Sequence, residues 1–286
     1  MIMANPEFPR IRACLFDMDG LLVDTEDIYT KCNNVILHEY GKPSLPWKIK
    51  AQLQGRPGPD AAEIFHAWAQ LPVARSAFTT KQAALQAQFF PTTQPLPGVP
   101  LLLKTLKNSN THLALATSSH ATNYRLKSTH LPHLFSAFPP SRRVLGDDPR
   151  IPKGRGKPAP DIYLLALECI NKELRAKGEA LIYPEECLVF EDSVPGVEAG
   201  RRAGMRVVWC PHPMLLKEYM GREREVLAGV ANGTDQEVDD ALCEAGLNAT
   251  GTKGRTNGYH SRMDDGWAEM VTTLEGFDYG RYGIQI

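Results

Sequence analysis

Paired cysteines are missing from this sequence. Its six cysteines stand singly (Cys14, Cys32, Cys169, Cys187, Cys210, Cys243), with no C-x-x-C pair and no zinc-ligand spacing. That argues against a zinc site and suits reduced thiols in a cytosol-like compartment. Excess charge of either sign is missing too. With 32 Lys and Arg against 33 Asp and Glu, no basic field exists to hold a nucleic-acid polymer or an anionic membrane. No apolar run approaches the roughly 20 residues of a bilayer-spanning helix, and the first ten residues hold no basic segment leading into an apolar one. The expectation is a cytoplasmic protein that is partnered by neither nucleic acid nor membrane. Without a secretory signal, the triplets Asn232-Gly-Thr234 and Asn248-Ala-Thr250 read as chance matches to a glycosylation site. No internal repeat and no long exposed apolar seam is visible, so a monomer is expected. A chain of 286 residues is long enough for two unequal domains.

What is present is alternation. Short apolar runs at Ile11 to Phe16, Leu113 to Ala116, Cys187 to Phe190 and Val207 to Cys210 read as strands buried on both faces. Segments with helical periodicity lie between and after them: Gly98 to Lys107, Thr122 to Thr129, Asp161 to Leu174 and Pro195 to Ala203. The pattern predicts an α/β fold, a Rossmann-like, doubly wound parallel sheet, whose ligands bind at the carboxyl ends of the strands. Between Thr25 and Leu96 only helical patterns occur, at Ile28 to Tyr40, Asp60 to Gln70 and Thr79 to Phe90. This predicts a small all-helical cap domain over residues 25–96, inserted into a core of residues 1–24 and 97–286. Pro139 to Pro160 reads as a loop, Gly229 to Ser261 as a polar surface insertion, and Asp264 to Leu274 as a last helix.

Three of the four chemically suggestive segments fall at the end of a predicted strand. Phe16-Asp-Met-Asp-Gly-Leu-Leu-Val-Asp24 puts two carboxylates two residues apart, where they can converge on one cavity. An EF-hand is excluded because Gly20 comes fourth rather than sixth and a strand precedes it. Leu113-Ala-Leu-Ala-Thr-Ser-Ser119 ends in hydroxyls before a helix, which suits an anion or a simple helix cap. Gly154-Arg-Gly-Lys-Pro-Ala-Pro-Asp161 is no nucleotide P-loop, but it holds Lys157 stiffly as a counter-charge to phosphate. Taken alone, Lys157 also suits a solvated surface. Cys187-Leu-Val-Phe-Glu-Asp-Ser193 ends in oxygen ligands of the kind Mg²⁺ takes, and Asp192 or Ser193 could equally cap the next helix.

In this order the four segments resemble the motifs of the haloacid dehalogenase superfamily, from Phe16 to about Cys210. The resemblance implies a phosphatase that acts on a small phosphorylated metabolite through an aspartyl-phosphate at Asp17, with Asp19 as the acid and base. It implies Thr117 and Lys157 as catalytic phosphate contacts, with Gly20 and Ser118 beside them. It implies Mg²⁺ held by Asp17, the Asp19 carbonyl and Asp192, with Glu191 either a ligand or behind them. Asp19 argues against a dehalogenase, which lacks an acid there. The helical insert resembles the cap of the β-phosphoglucomutase subgroup, and Gly55-Arg56-Pro57 resembles its substrate loop, which nominates Arg56. More narrowly, Leu145-Gly-Asp-Asp-Pro149 and Cys187-Leu-Val-Phe-Glu-Asp192 resemble the pseudouridine-5'-phosphatases and imply a nucleotide or sugar phosphate such as pseudouridine 5'-phosphate as substrate. A sugar phosphomutase and a catalytically silent binding protein are the alternatives.

Overall fold

The structure is a computed structural model that describes residues 8–231 and 262–286. Six strands, β1 (Ala13–Phe16), β2 (His112–Ala116), β3 (Arg143–Val144), β4 (Cys187–Glu191), β5 (Arg206–Trp209) and β6 (Ala268–Met270), form the sheet. Their order is β3-β2-β1-β4-β5-β6, and every pairing is parallel. The short apolar β1 fits this central place because both its faces are covered. Ala13 and Leu15 enter one apolar cluster, Cys14 and Phe16 the other, as the two-residue strand period requires.

Helices fill both faces. After β1 come α1 (Thr25–Glu39), α2 (Trp47–Leu53), α3 (Gly58–Ala69), α4 (Arg75–Phe89) and α5 (Val99–Lys107). Then follow α6 (Ala121–Ser128), α7 (Pro132–Phe135), α8 (Asp161–Lys177), α9 (Val194–Arg202), α10 (Pro213–Glu218) and α11 (Glu223–Ala228). Helix α5 shows the logic. Pro100 sits in its first turn, where its missing N–H costs nothing, and Val99, Leu102, Leu103 and Leu106 form the buried stripe. Helices α5 to α7 cover the Phe16 face, while α8 and α9 cover the Leu15 face. Helices α1 to α4 keep an apolar cluster of their own around Ile36, Leu37, Phe65 and Phe78. The chain enters and leaves them side by side. Val23 bridges Pro95 antiparallel, and Leu96 N–H donates to Leu22 O at 3.1 Å.

Two expectations from sequence need correction. Asp264 to Leu274 is not a helix. Asp264 and Gly266 have φ of 58° and 75°, a left-handed geometry no helix continues through. Residues 268–270 instead join the sheet edge, where Val207 N–H donates to Trp267 O at 2.9 Å. The expected loop from Pro139 to Pro160 contains β3, whose two residues are too few to show a period. The chain beyond β6 then returns to the core, with Phe277 5.2 Å from Phe190 and Phe190 stacked on Phe16 at 4.5 Å. The expected insertion at 229–261 lies almost wholly outside the described residues, as do both Asn-x-Thr triplets. Among the described residues no helix is long and apolar enough to cross a membrane.

Candidate active site

Register brings the motif residues together. Phe16 pairs with Leu115 on one side and Phe190 on the other, so Asp17, Thr117 and Asp192 emerge from three adjacent strands at their carboxyl ends. The strands on either side of β1 are reached by connections running in opposite directions across the sheet, which opens the crevice where such sheets bind ligands.

Asp17 is almost fully buried, and Lys157 lies behind it. The Lys157 ammonium donates to Asp17 Oδ1 at 2.5 Å, to Glu191 Oε1 at 2.6 Å and to Ala116 O at 3.2 Å. Burial opposes this ammonium, but Asp17 and Glu191 outweigh it and hold its pKa above the ordinary value. Glu191 is saturated by protein donors. Beyond Lys157 it accepts from the Tyr163 hydroxyl at 2.7 Å, and from the Asp192 and Ser193 N–H groups and the Ser193 hydroxyl, each at 3.0 Å. Burial, only partly offset by Lys157, pushes Asp17 up to about 7, with Glu191 and Asp19 adding to the rise.

The same place is short of positive charge. Carboxylate oxygens of Asp17, Glu191 and Asp192 lie within 4.8 Å of one another. Among the described residues Lys157 is the only ammonium bonded to them, which leaves three carboxyl groups facing one cation. Burial and the charges of Glu191, Asp17 and Glu26 hold the Asp192 carboxyl well above the usual carboxylate range. A hard divalent cation fits this donor set, since two carboxylates with water and phosphate oxygen are what Mg²⁺ takes. Gly20 makes the close approach. Its φ is +77°, and a Cβ there would stand 2.2 Å from Asp192 Oδ2.

Asp19 lines the same cavity as Asp17 and has a different environment. The Lys127 ammonium bonds Asp19 Oδ1, and also donates to the Tyr29 hydroxyl at 2.7 Å and to Ser119 Oγ at 2.8 Å. Ser119 in turn donates to Asp19 Oδ2 at 2.6 Å. Burial raises the Asp19 pKa, but Lys127 and Ser119 more than reverse that, so the carboxyl sits below its usual range.

Helices α1 to α4 roof the crevice and enclose a cavity of about 720 Å³ that reaches down to Asp17, Asp19 and Thr117. One loop plugs the roof into the floor. Gln54 donates to Asp192 Oδ2 at 2.5 Å, and Ser118 donates to Gly55 O at 3.1 Å. Gly55, with φ +76°, lies so close that a Cβ would stand 2.0 Å from Ser193 Oγ.

The haloacid dehalogenase-like hydrolase model matches residues 11–204. The chain belongs to the haloacid dehalogenase-like hydrolases. It is 46% identical over 219 residues to a Saccharomyces cerevisiae protein named as a probable pseudouridine-5'-phosphatase, covering 77% of this chain and 90% of that one. It is 35% identical over 225 residues to (DL)-glycerol-3-phosphatase 1 of Arabidopsis thaliana, covering 78% and 72% of the two chains. The crystal structure of a β-phosphoglucomutase from Clostridium difficile superposes with a TM-score of 0.55 at 20% identity, over 73% of this chain and 88% of that one. That likeness shows the fold.

Against the residues nominated from sequence, this dehalogenase-like site gathers Asp17, Asp19, Gly20, Thr117, Lys157, Glu191 and Asp192 within one crevice. Thr117 is fully buried, and its Oγ1 accepts from Ser119 N–H at 3.1 Å. Ser118 is turned onto Gly55 O. Arg56 lines the cavity, with its Nε donating to Gln52 O at 2.9 Å, while Gln54, two residues earlier, reaches the floor. Sequence reasoning misses Gln54, Tyr29 and above all Lys127. Lys127 lies in a segment legible only for its helical period, and nothing local marks that lysine as facing inward.

Proposed function

We propose that the protein is a Mg²⁺-dependent phosphatase that works through an aspartyl-phosphate on Asp17 and prefers a nucleotide-sized ester, with pseudouridine 5'-phosphate foremost. That it is a phosphoric monoester hydrolase acting on a small phosphorylated metabolite follows from its family and relatives. One observation carries the mechanism. Asp17, backed by the Lys157 ammonium, and Asp19, backed by Lys127, face the same cavity floor.

Mg²⁺, held by Asp17 and Asp192 with the Asp19 carbonyl, would supply charge neutralisation at the phosphoryl oxygens. Lys157 adds a second, fixed positive charge there. Asp17 attacks phosphorus, and the ester P–O bond breaks in line. Asp19 gives its proton to the leaving oxygen. The dianionic phosphate itself raises the proton affinity of the Asp19 carboxylate as it docks, because like charge favours the neutral acid. Water then attacks the phospho-aspartate and passes a proton back to Asp19. The bond between Asp17 and phosphorus breaks, and inorganic phosphate leaves. Glu191 holds Lys157 in place, its oxygens already occupied by protein donors.

Cavity size supports the substrate class. About 720 Å³ lies in the ordinary range for ligands of drug size, and a three-carbon polyol phosphate would leave most of it to water. Its walls offer amides on an otherwise largely apolar surface, with Asn33 accepting from Gln82 at 2.7 Å and Gln86 from Asn123 at 3.4 Å. Flat faces and polar edges of a nucleobase match such a surface. Residues 25–96 form the cap in this reading, and 1–24 with 97–286 the core. A cytoplasmic monomer completes it. Purified protein tested on a panel of phosphate monoesters, with Mg²⁺ and with chelator, decides the matter. Mg²⁺-dependent phosphate release, fastest on pseudouridine 5'-phosphate, is expected. Faster turnover of glycerol 3-phosphate would refute the substrate class, and interconversion of sugar phosphates without phosphate release would refute the phosphatase.

A further inference from the structure

Lys127 is a fully buried ammonium at the site that the phosphoryl-transfer chemistry above does not use directly. It sits on α6 with its side chain wholly enclosed. Its three donor contacts are Asp19, Ser119 and Tyr29, and its ammonium also lies 4.6 Å from the Tyr29 ring centroid and 4.5 Å from that of Phe90. These partners come from four parts of the chain. Asp19 follows β1, Ser119 follows β2, Tyr29 lies on α1 of the cap, and Phe90 follows α4 of the cap. A lysine loses several rotatable bonds and its hydration when buried this way, so the arrangement is costly unless the ion pair has a use.

We propose that Lys127 is a positioning residue for proton transfer: with Ser119 it clamps both oxygens of Asp19, and through Tyr29 and Phe90 it makes that clamp depend on the cap being closed. This rests on the phosphatase reading and on Asp19 as the proton donor. The geometry supports each part. Lys127 takes Oδ1 and Ser119 takes Oδ2, so the carboxyl plane is fixed before substrate arrives. Two of the ammonium's four neighbours belong to the cap, so opening the cap strips Tyr29 and Phe90 from it and loosens its hold on Asp19 Oδ1. Proton donation to the leaving oxygen is thereby confined to the closed, water-poor state, where the ester rather than solvent receives the proton.

The proposal is tested by changing how much the reaction needs a proton. Phosphate release is measured for Asp19→Asn, Lys127→Met and Tyr29→Phe on p-nitrophenyl phosphate, whose leaving group departs without protonation, and on an alkyl ester such as glycerol 3-phosphate. General acids contribute about 10²–10⁴-fold, and Lys127→Met should lose part of that on the alkyl ester, about 10–100-fold in kcat. The loss on p-nitrophenyl phosphate should be at least about tenfold smaller, with KM nearly unchanged on both. Tyr29→Phe keeps the ring and removes one hydrogen bond, so it should show the same dependence on leaving group with a smaller amplitude. It carries the test by itself if Lys127→Met does not fold. Equal losses on both esters, or none, in the variants that fold would overturn the role of Lys127 while Asp19→Asn still discriminates. If Asp19→Asn does not discriminate, both the acid assignment and the proposal fall. If wild-type protein releases no phosphate from either ester, the phosphatase reading itself has failed.

Discussion

Replacing Lys157 by Met should reveal how much of this site is held together by one ammonium. Methionine has similar length and no charge, so it removes bonds to Asp17, Glu191 and Ala116 while filling much of the space. Leaving a buried charge without its partner costs about 3–5 kcal/mol. In a domain of this size that corresponds to a fall of roughly 6–20 °C in Tm. The deficit should depend on pH, and its sign can be worked out. Asp17 is already raised from 3.8 to about 7 with the lysine present, and goes higher without it. A carboxyl raised on folding binds its proton in the native state before the unfolded state does, so its contribution to stability is greatest at low pH and is lost as pH rises between those values. Cation-free Lys157→Met should therefore be near wild-type in Tm at pH 5 and far below it at pH 8. Activity should fall by about 10²–10³, as when one preorganised charge-stabilising donor is removed. Thermal unfolding followed by circular dichroism at both pH values is the assay. Equal Tm for the two proteins at pH 8, or a deficit of the same size at pH 5, would refute the reasoning.

Four further outcomes are expected. Adding Mg²⁺ to chelator-treated protein should raise Tm more at pH 8 than at pH 5, because Asp17 and Asp192 are both raised and hold protons at the lower pH. Asp192→Asn should largely abolish that shift in the same titration. Asn33→Ala or Gln82→Ala should lower kcat/KM for pseudouridine 5'-phosphate by about twofold to thirteenfold, the worth of one hydrogen bond of about 0.5–1.5 kcal/mol, with glycerol 3-phosphate turnover unaffected. Gly20→Ala should cost about 1–3 kcal/mol for its left-handed backbone and displace Asp192, which denaturant unfolding and cation titration will detect.

The core chemistry is legible in the sequence because three of the four motifs follow a run of apolar residues that reads as a buried strand. Asp17, Thr117 and Asp192 therefore fall at strand ends on pattern alone, and parallel register does the rest. Lys157 is legible through its stiff Gly156-Lys157-Pro158 setting. Elsewhere the signal is too short or too distributed. Strands β3 and β6 have two and three residues, below the length at which a period shows. Helix α2, of seven residues, falls in the same gap. Glu191 and Asp192 are adjacent acids, and only the alternation of the strand sends Glu191 back toward Lys157 and Tyr163 while Asp192 faces the crevice. Lys127 depends on the meeting of four chain segments, which no local pattern records. Arg56 is nominated by its loop, whereas Gln54 is the side chain of that loop which touches the floor.

The central claim is that Asp17 carries the phosphoryl group. Rapid quenching in acid of protein mixed with ³²P-labelled substrate and Mg²⁺, followed by peptide mapping, tests it directly. Label that is acid-stable, released by hydroxylamine, located on the peptide containing Asp17 and absent from Asp17→Asn is predicted. Phosphate release at the wild-type rate from Asp17→Asn, or label on another residue, would contradict the account.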